Sequence, residues 1–234
     1  MNGLRKLRLV AIDVDGVLID DTYLAVLERF VTRHGGVYDD DAERGIVGLR
    51  DVVVAERIAQ LCGLDQPATE ILAAIYAERE EYLREHPIQV AGGAAEFLLS
   101  LRKLGVRAVA YGGRTREHTF DRYLGPLAEL LDPEVPYVSV NEHRPGVDWI
   151  VREVIGCAFD EAVFIDDVSR VAFAARERGT GFIGFPSSPA HQRQRRFMAD
   201  AGVRHFAGSL GEITPELLTR IDGELATSTH WELK

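Results

Sequence analysis

Cysteine is scarce in this 234-residue chain. The two present, Cys62 and Cys157, sit in apolar surroundings and form no C-x-x-C pair. They read as small buried thiols, and a disulfide framework is not expected. Long hydrophobic runs are missing: no apolar stretch approaches the roughly 20 residues of a membrane helix. The opening run MNGLRKLRLVAIDVDG is basic and then apolar, but Asp13 and Asp15 interrupt it, so it does not serve as a signal-peptide core. There is no internal repeat and no low-complexity block. Positive charge is in deficit, with 27 Lys and Arg against 37 Asp and Glu and a formal net charge of −10. That balance repels nucleic acid and anionic membrane overall, while leaving room for a local basic pocket. The expectation is a soluble, cytoplasmic protein with neither nucleic acid nor membrane as partner; oligomeric state is not legible. What is present is ordinary for a globular chain, 46% apolar and 27% charged. The length suits one generous domain, or a core carrying a smaller insert.

Residues 7–12 (LRLVAI) form a short apolar, β-rich run ended by acids and a glycine, and read as a buried strand entering a loop. From Thr22 to His86 the rhythm is helical. Leu24, Leu27, Phe30 and Val31 share one helical face, and Gly35-Gly36 stops that helix. Further helices are expected over 51–63 and 69–86, with Phe30, Tyr76 and Tyr82 as core aromatics of this insert. After Pro87 helices and short strands alternate: helix 94–104, strand 106–111, helix 117–131, strand 137–140, helix 147–155, strand 162–165, helix 170–177 and strand 181–184. A helix over 190–201, a strand near 203–206, a helix over 215–225 and a frayed tail follow. Alternation of this kind implies right-handed βαβ units and a parallel sheet. The expected fold is therefore α/β, a parallel Rossmann-like sheet with helices on both faces. Ligands of such sheets bind outside the carboxyl ends of the strands, so an insert rooted after the first strand is placed to lie over the site.

Two pairs of carboxylates end predicted strands. Asp13 and Asp15, in Asp13-Val14-Asp15-Gly16-Val17-Leu18, follow the first strand, and Asp166-Asp167 follow Phe164-Ile165. Parallel strands bring these ends to one edge of the sheet. Four converging carboxylates repel one another unless a cation joins them, and hard oxygen donors suit Mg²⁺. In a competing role, Asp166 and Asp167 cap the helix starting near Arg170; one of them can do both, the pair not easily. The run from His191 to Arg196 reads as a solvated helix face.

The motifs over nearly the whole chain resemble the phosphatase branch of the haloacid dehalogenase superfamily. Residues 13–18 are similar to its first motif. Residues 164–167, with Val171, Ala174, Ala175 and Gly179, are similar to its fourth. Ala91-Gly92-Gly93 is similar to the point where the chain re-enters the core. The resemblance implies a core of residues 1–20 and 89–234 and an all-helical cap of residues 21–88. It implies Asp13 as nucleophile forming an aspartyl-phosphate, and Asp15 as general acid and then base. Mg²⁺ is implied at Asp13, Asp15, Asp166 and Asp167, with Asp15 contributing its main-chain carbonyl and Asp166 as ligand or support.

Two positions depart from the family pattern. Gly112 stands where the second motif has a Ser or Thr whose hydroxyl binds phosphate, and Thr115 comes three residues late. The backbone of Gly112 and Gly113 could still cradle an anion and Arg114 add charge; alternatively this is a turn capping the next helix. The third motif's Lys is replaced by Glu142-His143-Arg144-Pro145. Arg144, a permanent cation, is the natural stand-in, His143 an alternative, and a surface residue before a Pro-initiated helix the plain reading. Gly45–Asp51 resembles the cap loop that faces the site, so Arg50 either touches substrate or pairs with Glu56 or solvent. The implied function is Mg²⁺-dependent hydrolysis of a small phosphate ester, such as a sugar phosphate or a phosphoglycolate-like metabolite. A phosphomutase, or a weakly active or non-catalytic phosphate-binding protein, are the alternatives. A dehalogenase is disfavoured because it has no need of an acid at position 15.

Overall fold

A computed structural model describes residues 4–186, 188 and 191–232. Five strands carry the core of the sheet: β1 (Leu9–Asp13), β2 (Arg107–Gly112), β3 (Tyr137–Ser139), β4 (Ala162–Asp166) and β5 (Gly181–Gly184), with a short β6 (His205–Phe206) at one edge. All pairings are parallel, in the order β3-β2-β1-β4-β5-β6. Along β1 the side chains alternate between two apolar layers. Val10 and Ile12 pack with Phe97, Leu98, Leu101, Leu218 and Ile221 on one face; Leu9 and Ala11 pack with Ile150, Val151, Val171, Ala172 and Ala175 on the other. A strand covered on both sides reads as an unbroken apolar run, which is why these segments were recognisable. The chain order reverses at β1/β4, and the crevice at that reversal is where such sheets bind ligands.

The first layer contains α5 (Ala94–Leu104) and α8 (Pro215–Thr227), the second α6 (Ser169–Arg178) and α7 (Gln192–Asp200). Residues 21–88 fold as four helices, α1 (Leu24–Arg33), α2 (Asp40–Ile46), α3 (Asp51–Cys62) and α4 (Ala68–Glu85). They enclose an apolar cluster of their own, including Leu27, Phe30, Val54, Ile58, Ile71 and Ile75. Among the described residues, no helix is long and apolar enough to cross a membrane.

Three expectations are corrected. Residues 117–131 are not one regular helix: Glu117–Leu124 is wound with π-type turns and Gly125–Leu130 as a 3-10 helix. Pro126, which lacks an N–H, falls at that junction. Residues 147–155 are helical as expected, but Trp149–Ile155 is π-wound, and the helix starts after Gly146 rather than at Pro145. The tail is held down rather than frayed: Trp231 Nε1 donates to the Thr180 carbonyl at 3.1 Å, His230 is buried against the Gly179 carbonyl, and Val203 bridges to Trp231. Residues 1–3 of the expected core, residue 190 of the expected helix and the last two tail residues lie outside the described residues.

The two termini of the chain are tied through Asp222. This buried carboxylate accepts from the backbone N–H of Arg5, Lys6 and Leu7 at 2.8, 2.7 and 2.7 Å. Burial raises its pKa, but these donors outweigh burial and hold it below the ordinary carboxylate range. Asp222→Ala leaves the donors unmatched and is expected to cost about 3 kcal/mol, or roughly 6–12 °C in melting temperature for a chain of this size. A carboxylate held low stabilises the fold above its unfolded pKa, and the contribution fades as pH falls through the folded one. Thermal melts at pH 7 and pH 3 should therefore show a large gap between wild type and variant at the first pH and a smaller one at the second.

Candidate functional site

Asp13 is the last residue of β1 and is 6% exposed. Asp166 ends β4, and Asp167 follows it at 2% exposure. The turn after Asp13 lets Asp167 come close. Gly16 has φ +100°, and a Cβ there would sit 2.4 Å from Asp167 Oδ2, so only glycine suits both the backbone and the space. Neither β4 acid caps α6, whose start has no side-chain cap bond. Asp166 accepts from Val168 N–H at 2.6 Å and from the buried Tyr111 hydroxyl, so both its oxygens are engaged. Asp167 Oδ2 faces His191 Nε2 at 2.7 Å, while its buried Oδ1 has no hydrogen-bond partner.

The helical insertion closes one side. Asp15 accepts from Thr22 through N–H (2.8 Å) and Oγ1 (3.0 Å), and Arg79 of α4, 2% exposed, donates to that hydroxyl at 3.1 Å. Arg79 Nη2 lies 3.7 Å from Asp15 Oδ2. Asp21 starts α1 by accepting from the N–H of Tyr23 and Leu24, and its buried Oδ2, 3.3 Å from His191 Nε2, has no hydrogen-bond partner. Among the described residues, Asp21, Asp167 and His191 each bring one ligand atom within 4.8 Å of the others.

The opposite wall brings together four of the residues that the sequence offers as phosphate contacts. Gly112, Gly113, Arg114 and Arg144 line one cleft with Asp13, Asp15 and Asp167. The Arg144 guanidinium lies against Gly113, where a Cβ would come within 2.6 Å of Nη2. The Arg144–Pro145 bond is cis. His143 is exposed and stacks on Trp149 at 3.8 Å, outside this cleft. Arg114 lies over the Tyr76 ring at 4.5 Å, and Tyr76 donates to Asp51 Oδ2. Tyr76 therefore belongs to the cleft wall rather than to the core of the insertion, unlike Phe30 and Tyr82. Val47, Gly48, Leu49 and Asp51 also line the cleft, but Arg50 is exposed and paired with Glu142 at the joint between insertion and sheet. Glu142, rather than Glu56, is its ion-pair partner. Thr115 is exposed and bonded to His118 at 2.8 Å. The cleft is narrow, with a cavity volume of about 70 Å³.

Crowding of acids governs the electrostatics. Burial, then Asp166 and Asp167, push Asp13 well above the ordinary carboxylate range, against the pull of Arg144. Burial and Asp21 lift Asp15 to about 6, with Arg79 and Thr22 opposing. Burial and Asp167 lift Asp166 to about 7. Asp167 is raised by burial and held back by His191. Burial disfavours the charged form of His191, but Asp167 and Asp21 outweigh it and raise its pKa to about 10. Arg144 is kept charged by Asp13 and Asp166 despite its desolvation. The donors fit a hard divalent cation: buried, anionic, oxygen-based and, at Asp167 and Asp21, unmatched.

Sequence reasoning missed Asp21, Thr22, Arg79, Tyr111 and His191. The expectation that 191–196 is a solvated face holds for Gln192, Arg195 and Arg196 but fails for His191 and Gln194, which are buried, Gln194 bonding Ser169 N–H and Glu43. The signal was a spacing: His191, Gln194, Phe197 and Met198 recur as one stripe of a helix and are all buried.

No protein-family model matches the sequence, and no curated protein matches it by sequence. Solved structures do match in shape. A haloacid dehalogenase-like protein from Agrobacterium tumefaciens is 18% identical, over 92% of this chain and 99% of that one, with TM-score 0.68. A phosphonoacetaldehyde hydrolase-like protein from Oleispira antarctica is 12% identical, over 97% and 96%, with TM-score 0.72. A β-phosphoglucomutase from a Pyrococcus species is 16% identical, over 93% and 99%, with TM-score 0.60. Identity this low carries the fold and not the activity: in fold the chain is similar to haloacid dehalogenase-like proteins.

Proposed function

We propose that the chain is a Mg²⁺-dependent phosphomonoester hydrolase of a small metabolite, acting through an aspartyl-phosphate on Asp13. One observation carries the reading: Asp167, whose buried Oδ1 has no hydrogen-bond partner, lines the same cleft as Asp13 and Arg144. A cation-seeking oxygen, a carboxylate nucleophile and a fixed guanidinium are the parts phosphoryl transfer needs.

Arg144 fixes the phosphoryl group against the Gly112-Gly113 turn. An Asp13 oxygen attacks phosphorus as the ester P–O bond breaks, and the departing alkoxide takes a proton from Asp15. Asp15, lifted to about 6 and held by Thr22 and Arg79, can carry that proton and release it near neutral pH. As a carboxylate it then takes a proton from water, whose oxygen attacks the aspartyl-phosphate and frees inorganic phosphate. Asp13, Asp167 and the Asp15 main-chain carbonyl would hold Mg²⁺, with Asp166 behind them braced by Tyr111 and Asp167 oriented by His191. When bound, the ion neutralises phosphoryl charge and relieves the carboxylates' repulsion. The narrow cleft, walled by the insertion as a cap, suits compact sugar-phosphate or phosphoglycolate-like esters.

The test is a panel of such esters with Mg²⁺, repeated after chelation. Release of inorganic phosphate that disappears with the metal is the expected result. A phosphorylated isomer formed without release points to a phosphomutase. A full panel without turnover sinks the enzymatic reading and leaves a phosphate-binding protein.

A further inference from the structure

A transferring phosphoryl group spreads its charge over three outer oxygens. Arg144 provides for part of that charge, but β2 ends in Gly112, which has no side chain. A side chain there would be crowded: a Cβ on Gly112 would lie 3.0 Å from the Tyr137 hydroxyl, and that hydroxyl already donates to the Arg114 carbonyl at 2.6 Å. Thr115, the nearest hydroxyl in sequence, is exposed and paired with His118.

Thr119 is placed differently. It is 3% exposed, it lines the cleft with Asp13, Gly112, Gly113 and Arg144, and its Oγ1 is buried without a hydrogen-bond partner. A threonine in a helix ordinarily bonds back to a carbonyl one turn earlier, and a buried hydroxyl left unmade is rare. Here the segment Glu117–Leu124 is wound with wide π-type turns, and the back-bond is not made. Such turns recur at functional sites. Three buried polar atoms lacking a hydrogen-bond partner belong to residues lining this cleft. Two are carboxylate oxygens, of Asp21 and Asp167, and the third is the Thr119 hydroxyl. The first two call for a cation; the third is a donor without an acceptor in a cleft built for an anion.

We propose that Thr119 Oγ1 donates to a phosphoryl oxygen, supplying from the segment after the loop the hydroxyl that position 112 lacks. This assignment rests on the phosphomonoester reading above. It makes Thr119 a substrate-binding residue rather than a structural one.

The test uses the full chain with Mg²⁺, and inorganic phosphate as the probe in titration calorimetry. Thr119→Val, which replaces the hydroxyl by a methyl group, should weaken phosphate binding roughly 10-fold, as loss of a hydrogen bond to a charged acceptor does. Thr119→Ser should stay within about 3-fold of wild type, since it keeps the donor. The unliganded valine variant should melt no lower than wild type, because no bond is lost. Thr119→Ala replaces it if valine is too crowded to fold. Arg144→Ala is the companion variant. If it loses phosphate while Thr119→Val keeps wild-type affinity, Thr119 is not a phosphate ligand and the phosphoryl site stands. A lowered melting point in the valine variant, with phosphate affinity equally poor in the serine variant, makes Thr119 structural and overturns the proposal. If wild type does not bind phosphate, or Arg144→Ala binds it as well as wild type, the phosphomonoester reading fails and this assignment fails with it.

Discussion

Asp13→Asn should abolish ester hydrolysis, with a loss of at least about 10³-fold in kcat, while the protein stays folded. The size of the effect follows from the role. An amide of the same shape cannot form the aspartyl-phosphate, so the path through two easier steps closes altogether. The fold should survive, because the substitution removes a charge that burial, Asp166 and Asp167 all disfavour. Melting temperature in the absence of metal is therefore expected to hold or to rise, opposite in sign to the activity. Such a combination separates loss of the nucleophile from loss of structure. The measurement is steady-state turnover on the best ester of the panel, alongside a thermal melt of both proteins. Residual turnover within tenfold of wild type would falsify Asp13 as nucleophile.

What could be read from the sequence was what is local. Apolar runs ending in acids marked β1 and β4, because strands buried on both faces have little polar content and their ends stand out. Parallel pairing then put Asp13 and Asp166-Asp167 on one edge without any knowledge of contacts. Glycine at 112 and arginine at 144 were legible as departures, and the structure puts both on the cleft wall. The residues that went unread depend on contacts between distant segments. His191 meets Asp167 and Asp21 from the N-cap of helix α7, and its polar neighbours Arg193, Arg195 and Arg196 hide the buried stripe it belongs to. Arg79 lies in α4 among Glu78, Glu80 and Glu81, so its sequence surroundings read as solvated surface. Only the packing of α4 over the Asp15 loop shows that it is buried. For Arg50 the sequence left several partners open: the Gly45–Asp51 segment does reach the cleft, through Val47, Gly48, Leu49 and Asp51, while the Arg50 side chain pairs with Glu142.

The carboxylate cluster that the strand ends foretold leads to the second large effect, a metal requirement for stability that appears only above acid pH. Asp166 sits at about 7 in the folded protein and Asp15 at about 6, both well above the ordinary value of 3.8. An acid whose pKa is raised by folding costs nothing below its unfolded pKa, where both states are protonated. The penalty grows as pH climbs from there to the folded pKa and is complete above it. Asp166 alone, moved from 3.8 to about 7, accounts for on the order of 4 kcal/mol at neutral pH. His191, charged up to about pH 10 by its contact with Asp167 and Asp21, offsets part of this throughout the range and does not alter its direction. The metal-free protein should therefore lose stability steadily between about pH 4 and pH 7. Saturating Mg²⁺ should restore it, raising the melting temperature by roughly 10 °C at pH 7.5 and by little at pH 5, where protons hold the carboxylates instead. Asp167→Asn should lose most of the Mg²⁺ response, because it removes the one β4 carboxylate with an unmatched buried oxygen. Thermal melts across pH, with chelator and with Mg²⁺, read all three effects. A Mg²⁺ response equal at pH 5 and pH 7.5, or one unchanged in Asp167→Asn, places the cation somewhere other than among these acids.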